Sequence, residues 1–406
     1  MILNEGYLNN KNFLKKGLKS FVIGKKKFFD LSSASGCLIL GHNNLVFKNS
    51  LKKIYDLNVS NFTSPNVYSK EFYLTLKKLY PQFYSFIFCT TGAEANLKAL
   101  RICRALTNRD KVLSVSGSWH GSVDQFLFIK KKKLELISSG TGEFSKKNII
   151  FLPFNNFIKT EKILIKLKKN VCAVFIEPVQ AGLPVPESLK YFKFLYGLCK
   201  KYKIILVIDE NITGLRFNGT SFQNNVKLYP EIAVFGKAFG NSFPISIIGI
   251  SKKIHYLLKK KYPKVFFGGT YSANSYSCLI ANNTTKYLIE NKKKIFSYLE
   301  KINKIFVSNI SFFILKKKLD VRIYSFSNII RIIFTSKNIT NRNQRDFLEK
   351  NNLKKIKKFK NFLLKKGIYY PSNGIIFLNY AMTIKDIQKT SLIICDGLLK
   401  YFKKKF

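Results

Sequence analysis

Histidine, arginine and tryptophan are scarce in this chain of 406 residues, which holds three His, eight Arg and one Trp against 63 Lys. The three histidines, His42, His120 and His255, lie far apart and lack the spacing of metal ligands, which argues against a metal enzyme. Seven cysteines are scattered and form no Cys-x-x-Cys pair, so no disulfide framework is indicated and a reducing cytoplasm fits best. No apolar run approaches the roughly 20 residues that span a bilayer. The opening Met1-Ile-Leu-Asn-Glu-Gly-Tyr7 lacks the charged-then-apolar order of a signal peptide. A soluble protein with no membrane contact is the expectation.

Acidic residues are also few: 22 Asp and Glu against 71 Lys and Arg leave a net charge of +49. Such an excess ordinarily points to nucleic acid or an anionic membrane. Here the lysines run from end to end, through apolar and polar segments alike, together with an excess of Asn, Ile, Phe and Tyr. There is no discrete basic tail and no RNA-binding signature. The charge reads as a bias of composition, and it predicts salt-sensitive adhesion to polyanions without a specific nucleic-acid site.

With 46% hydrophobic residues the chain can build a sizeable core. Seven short apolar runs punctuate residues 86 to 250: Phe86–Cys89, Val112–Val115, Ile149–Leu152, Cys172–Ile176, Ile204–Ile208, Ile232–Phe235 and Ile245–Ile250. Helical patterns such as Glu94–Leu106 and Leu189–Tyr202 fill the gaps. Alternation of strand and helix predicts an α/β fold with a mostly parallel, doubly wound sheet of seven strands and functional loops along one edge. From about residue 281 the pattern changes to lysine-studded helices (Thr284–Phe306, Asn343–Lys366, Ile384–Phe402) around weak strands near Ile329–Phe334 and Gly374–Asn379. The expected organisation is a large domain over residues 46–280 and a smaller α+β domain over 281–406. Residues 1–45, with strands at Phe21–Ile23 and Phe28–Leu31, are too few to fold alone and pack on the smaller domain.

Several residue types that carry chemistry fall at strand ends. Thr90-Thr-Gly-Ala-Glu-Ala-Asn96 joins the first strand to a helix, where free backbone N–H groups and the helix dipole suit a phosphate, although a threonine-capped turn needs no ligand. Trp119-His-Gly121 follows the second strand. Trp119 can stack on a flat cofactor or pack in a core, and His120 can act as a base or as a structural hydrogen-bonding group. Glu177 ends the fourth strand and Asp209 the fifth. Lys237 follows the sixth, 28 positions after Asp209. A lysine amine and a carboxylate at the ligand-binding edge of one sheet suit pyridoxal phosphate, the lysine as a Schiff base and the aspartate as partner of the pyridine nitrogen.

Together with Leu38-Ile-Leu-Gly-His42, Ile176-Glu-Pro-Val179, Asp209-Glu-Asn-Ile-Thr-Gly-Leu-Arg216, Gly269-Thr-Tyr-Ser-Ala-Asn274 and Gly367-Ile-Tyr-Tyr-Pro371, these motifs span roughly residues 20 to 400. The chain resembles a class III pyridoxal-phosphate-dependent aminotransferase, nearest the glutamate-1-semialdehyde aminomutase branch. The resemblance implies fold type I, as in aspartate aminotransferase, and pyridoxal 5′-phosphate as cofactor. It implies that Lys237 binds the cofactor and shuttles the proton, that Asp209 keeps the ring nitrogen protonated, that Trp119 stacks on the ring, and that Thr91, Gly92 and Ala93 bind the phosphate. Thr270 would reach the phosphate of the neighbouring subunit in a homodimer with shared sites, acting on small amine and carbonyl substrates. Two residues depart from the family pattern: Asn211 replaces an apolar residue against the ring, and Ala93 replaces a hydroxyl residue. The Ser- and Arg-bearing N-terminal loop of true aminomutases has no counterpart before Phe21, where no arginine occurs. The implied activity is therefore transamination by a ping-pong mechanism, with isomerisation of glutamate-1-semialdehyde to 5-aminolevulinate as the alternative and a non-catalytic polyanion-binding protein on the same scaffold as a remote one.

Overall fold

Strands whose residues are apolar on both faces must be covered on both faces, and this chain meets that demand with helices between successive strands. The computed structural model describes residues 13–131, 133–261 and 265–403. The chain divides into two compact units: Asn49–Gln180 with Pro186–Glu290, and the N-terminal residues up to Lys48 with Ala181–Val185 and the chain from Asn291 onward.

In the larger unit the strands are β1 (Ser85–Cys89), β2 (Lys111–Val115), β3 (Ile149–Leu152), β4 (Val171–Ile176), β5 (Ile205–Glu210), β6 (Ile232–Phe235) and β7 (Ser246–Ile250). They form one sheet in the order β1-β7-β6-β5-β4-β2-β3. From β6 to β3 every pairing is parallel, and β7 runs antiparallel to both of its neighbours. Every residue of β4 and β6 is buried, as a doubly covered sheet requires. The parallel register Asp209↔Val234 and Glu210↔Phe235 extends β5 to Glu210, two residues beyond the apolar run that announces it.

Helix α1 (Val67–Leu79) packs on α3 (Ser275–Glu290), and α2 (Gly92–Thr107) lies across the sheet. Thr91 caps α2 by accepting from the Glu94 N–H, and Asn108 ends it in the left-handed conformation. Aromatic side chains do much of the filling: Tyr80 stacks on Phe235 with ring centroids 4.6 Å apart, and Phe72 stacks on Phe88 at 5.6 Å. Truncating a fully buried ring such as Phe235 to alanine costs about 3–5 kcal/mol.

The smaller unit carries a four-stranded sheet of Lys16–Leu18, Phe21–Ile23, Lys27–Asp30 and Ile368–Tyr369, and a three-stranded sheet of Arg322–Phe326, Ile329–Ile333 and Ile375–Ile376. The helical stretch expected over Thr284–Phe306 is two helices, α3 and Lys292–Lys316, broken at Asn291. Likewise Asn343–Lys366 is Arg342–Glu349 and Leu353–Lys365, separated by one turn of 3₁₀ helix. Among the described residues no helix is long and apolar enough to cross a membrane. All seven cysteines are free thiols.

Candidate active site

Asp209 is buried at the end of β5, and four donors of the chain converge on its carboxylate. Oδ1 accepts from the Asn211 backbone N–H at 3.1 Å and from Asn211 Nδ2 at 2.7 Å. Oδ2 accepts from Asn96 Nδ2 at 2.8 Å and from His120 Nδ1 at 2.8 Å. Burial pushes this carboxyl up, but the bonds from His120, Asn211 and Asn96 outweigh it and hold the group below its ordinary value. Its neighbour Glu210 is pulled the other way: burial raises it despite bonds from Gln223, Thr213 and Phe222. Two adjacent carboxyls thus shift in opposite directions, and Asp209 is the one held below its ordinary value.

The Asn211 side chain shows how the other motifs meet here. A Cβ on Gly92 would lie 2.7 Å from Asn211 Nδ2, and a Cβ on Gly236 would lie 2.3 Å from Asn211 Oδ1. The helix-start turn, the aspartate strand and the residue preceding Lys237 are therefore packed around one side chain. Lys237 opens a turn of 3₁₀ helix after β6 with φ 45°, a left-handed conformation that a non-glycine residue adopts only under constraint. Its side chain is half-buried and, among the described residues, its amine has no ion-pair or hydrogen-bond partner.

Thr91 caps and Gly92 and Ala93 open a 16-residue helix whose Asn96 bonds Asp209, and the N–H groups of its first turn give a positive pole there. Ala93 is pressed by the Trp119-His-Gly121 loop: a Cβ on Gly121, at φ +83°, would come within 2.8 Å of Ala93 Cβ. Small residues at both positions permit that approach. The Trp119 N–H donates to Glu177 at 2.8 Å, which ties this loop to the end of β4. Trp119 is 46% exposed in this chain. His120 bonds Asp209 through Nδ1, and among the described residues its other nitrogen is buried with no partner.

Thr270 lies exposed in the segment following residue 264, and α2 of the same chain holds that segment. Lys98, only 4% exposed, pairs with Glu94 at 2.6 Å and donates to the Phe267 carbonyl at 2.6 Å and to Ser272 Oγ at 3.3 Å. Glu94 also accepts from the Thr90 N–H at 2.7 Å and from Ser272 at 3.4 Å. Burial pushes the Glu94 carboxyl up, and Lys98, Thr90 and Ser272 bring it below its ordinary value. Asn61 adds a bond to the Thr270 carbonyl at 3.4 Å.

Asn96 and Lys98 are the site residues that sequence reasoning passes over. Asn96 lies one helical turn after Gly92, a spacing that aims it along the same face. Lys98 carries no signal, being one of 63 lysines.

These residues fit pyridoxal phosphate. An anionic buried aspartate suits a pyridinium, a helix N-terminus suits a phosphate, and a free amine suits an aldehyde. The model for aminotransferase class III matches residues 6–392, and the chain belongs to that family of pyridoxal-phosphate-dependent enzymes. It is 28% identical over 393 residues to the glutamate-1-semialdehyde 2,1-aminomutase of Caldicellulosiruptor saccharolyticus, covering 96% of this chain and 90% of that protein. The enzyme of the same name from Fusobacterium nucleatum is 30% identical, with 94% and 88% covered. Among solved structures, an omega-transaminase from Sphaerobacter thermophilus superposes with a TM-score of 0.88 at 18% identity, covering 95% and 90% of the two chains. A glutamate-1-semialdehyde aminomutase from Pseudomonas aeruginosa gives 0.85 at 18% identity, covering 96% and 88%. The fold is thus the fold type I of pyridoxal-phosphate-dependent transaminases.

Proposed function

We propose that this chain transfers an amino group from a donor amine or amino acid to an aldehyde or keto acceptor by a ping-pong mechanism, acting as a homodimer in the cytoplasm. When bound, pyridoxal phosphate supplies the electron sink for negative charge at the substrate's amino-bearing carbon. Asp209 holds the proton on the ring nitrogen, and His120 and Asn96 hold Asp209. Lys237 anchors the cofactor's aldehyde carbon and moves the proton at the substrate carbon. Thr91, Gly92 and Ala93 bind the phosphate through backbone N–H groups, so an alanine serves at the third position. The exposed Trp119 stacks on the ring, and Thr270 reaches the phosphate of the second subunit.

The observation that carries this reading is the anionic Asp209, held by four donors where the helix-start turn and the Lys237 turn meet. The relatives named as aminomutases favour a second reading, isomerisation of glutamate-1-semialdehyde without an external donor. Against it stands the lack of arginine before Phe21 for a substrate carboxylate; residues 1–12 of that stretch lie outside the described residues. Steady-state kinetics with varied donor and acceptor decide. Parallel double-reciprocal lines support transamination, whereas efficient formation of 5-aminolevulinate with no donor present overturns it.

A further inference from the structure

A carboxylate offers about four acceptor positions, and the chain's own donors use four on Asp209. A ring N–H that bonds Asp209 must therefore displace or share with one of them. Three are hard to move. The Asn211 N–H belongs to the backbone at the end of β5. Asn96 Nδ2 bonds the His120 carbonyl at 3.1 Å as well as Asp209. His120 is buried and packed edge-on against Phe126 and Phe175, with ring centroids at 4.9 and 5.7 Å. The fourth donor, Asn211 Nδ2, sits on a side chain whose one other hydrogen bond among the described residues is a long one, 3.4 Å from Ser246 Oγ to its Oδ1.

We infer that the Asn211 amide is a displaceable substitute for the ring nitrogen, holding the acceptor position on Asp209 that the cofactor needs and thereby weakening cofactor retention. This rests on the reading of Asp209 as the ring-nitrogen partner and extends it to a residue that sequence comparison marks only as a departure. An apolar side chain at position 211 leaves one acceptor position open. Asparagine fills it, so that the buried anion stays satisfied without a ligand and binding must first break a bond to a charged group. Asn211 is in this sense a positioning residue that sets affinity; it takes no part in the reacting bonds.

The test compares the wild type with Asn211→Val and Asn211→Ala, each stripped of cofactor and titrated with pyridoxal phosphate. Quenching of Trp119, the only tryptophan in the chain, reports binding without any need for turnover. Loss of one competing bond to a charged group should tighten binding about tenfold in both variants. The same variants without cofactor should melt below the wild type, because Asp209 has lost a donor. A rise in affinity together with a fall in unliganded stability is a pattern that simple structural damage does not produce. Unchanged or weaker binding by both variants, while wild type binds, overturns the inference and leaves the reading of the site intact. Failure of the wild type to bind at all removes that reading and the inference with it. Should the valine variant fold poorly, the alanine variant, which demands no added volume, decides between these outcomes.

Discussion

Lys98→Met should loosen the segment that carries Thr270. The lysine is buried, its charge is matched by Glu94 at 2.6 Å, and its other protons go to Phe267 and Ser272. Removing one partner of a buried ion pair costs about 3–5 kcal/mol. Glu94 keeps 27% of its side chain in water and retains the Thr90 N–H, so the stranded carboxylate is partly relieved. A loss of about 2–3 kcal/mol follows. For a unit of this size that lowers the melting temperature by roughly 4–12 °C. Glu94 also loses the cation that holds its carboxyl down. The stability it contributes is present above its unfolded value and lost as pH falls through its lowered folded one, so the gap between wild type and variant should close in acid. Differential scanning calorimetry from neutral to acid pH measures both effects, and a pyridoxal phosphate titration reports the consequence for the site. A variant that melts within about 1 °C of wild type and binds cofactor as well would refute the idea that this clasp positions the segment.

Three further outcomes are expected. Lys237→Ala should abolish turnover, since one amine both anchors the cofactor and moves the proton; activity comparable to wild type would remove it from that role. Asp209→Asn should keep some cofactor affinity and lose most of the rate, because a neutral amide cannot hold a pyridinium. Its stability difference from wild type should shrink as pH falls through the depressed Asp209 value, the reverse of what a raised carboxyl gives. Mixing Lys237→Ala with Thr270→Ala should produce heterodimers with one site built wholly from unmutated residues, seen as activity above the sum of the two preparations. No recovery despite proven subunit exchange would mean that each site is self-contained.

Much of the sheet was legible because its strands are continuous apolar runs. Ile149–Leu152 and Ile232–Phe235 begin and end where their runs do, as does the helix Ile384–Phe402 behind its Thr383–Asp386 capping box. Boundaries set by partners were not. β5 reaches Glu210 only because β6 lies beside it, and the strand Arg322–Phe326 mixes exposed and half-buried positions, so it exists through pairing with Ile329–Ile333. The break at Asn291 hides inside a helical pattern that composition makes nearly uniform. At the site, Asp209 and Lys237 stand out because each follows an apolar run. The donors around Asp209 do not, since Asn96, His120 and Asn211 come from three segments that only the fold brings together. Lys98 was invisible for a different reason: among 63 lysines nothing but burial distinguishes it.

Carriage of an amino group on the cofactor between two separate substrates is tested most directly by a single half-reaction, in which enzyme loaded with pyridoxal phosphate is mixed with an amino donor and no acceptor. The carbonyl product of the donor should appear in an amount equal to the active sites and then stop, with the cofactor recovered as pyridoxamine phosphate. If no panel of amino donors converts the cofactor, while glutamate-1-semialdehyde added alone turns over continuously to 5-aminolevulinate, transamination between separate substrates is contradicted.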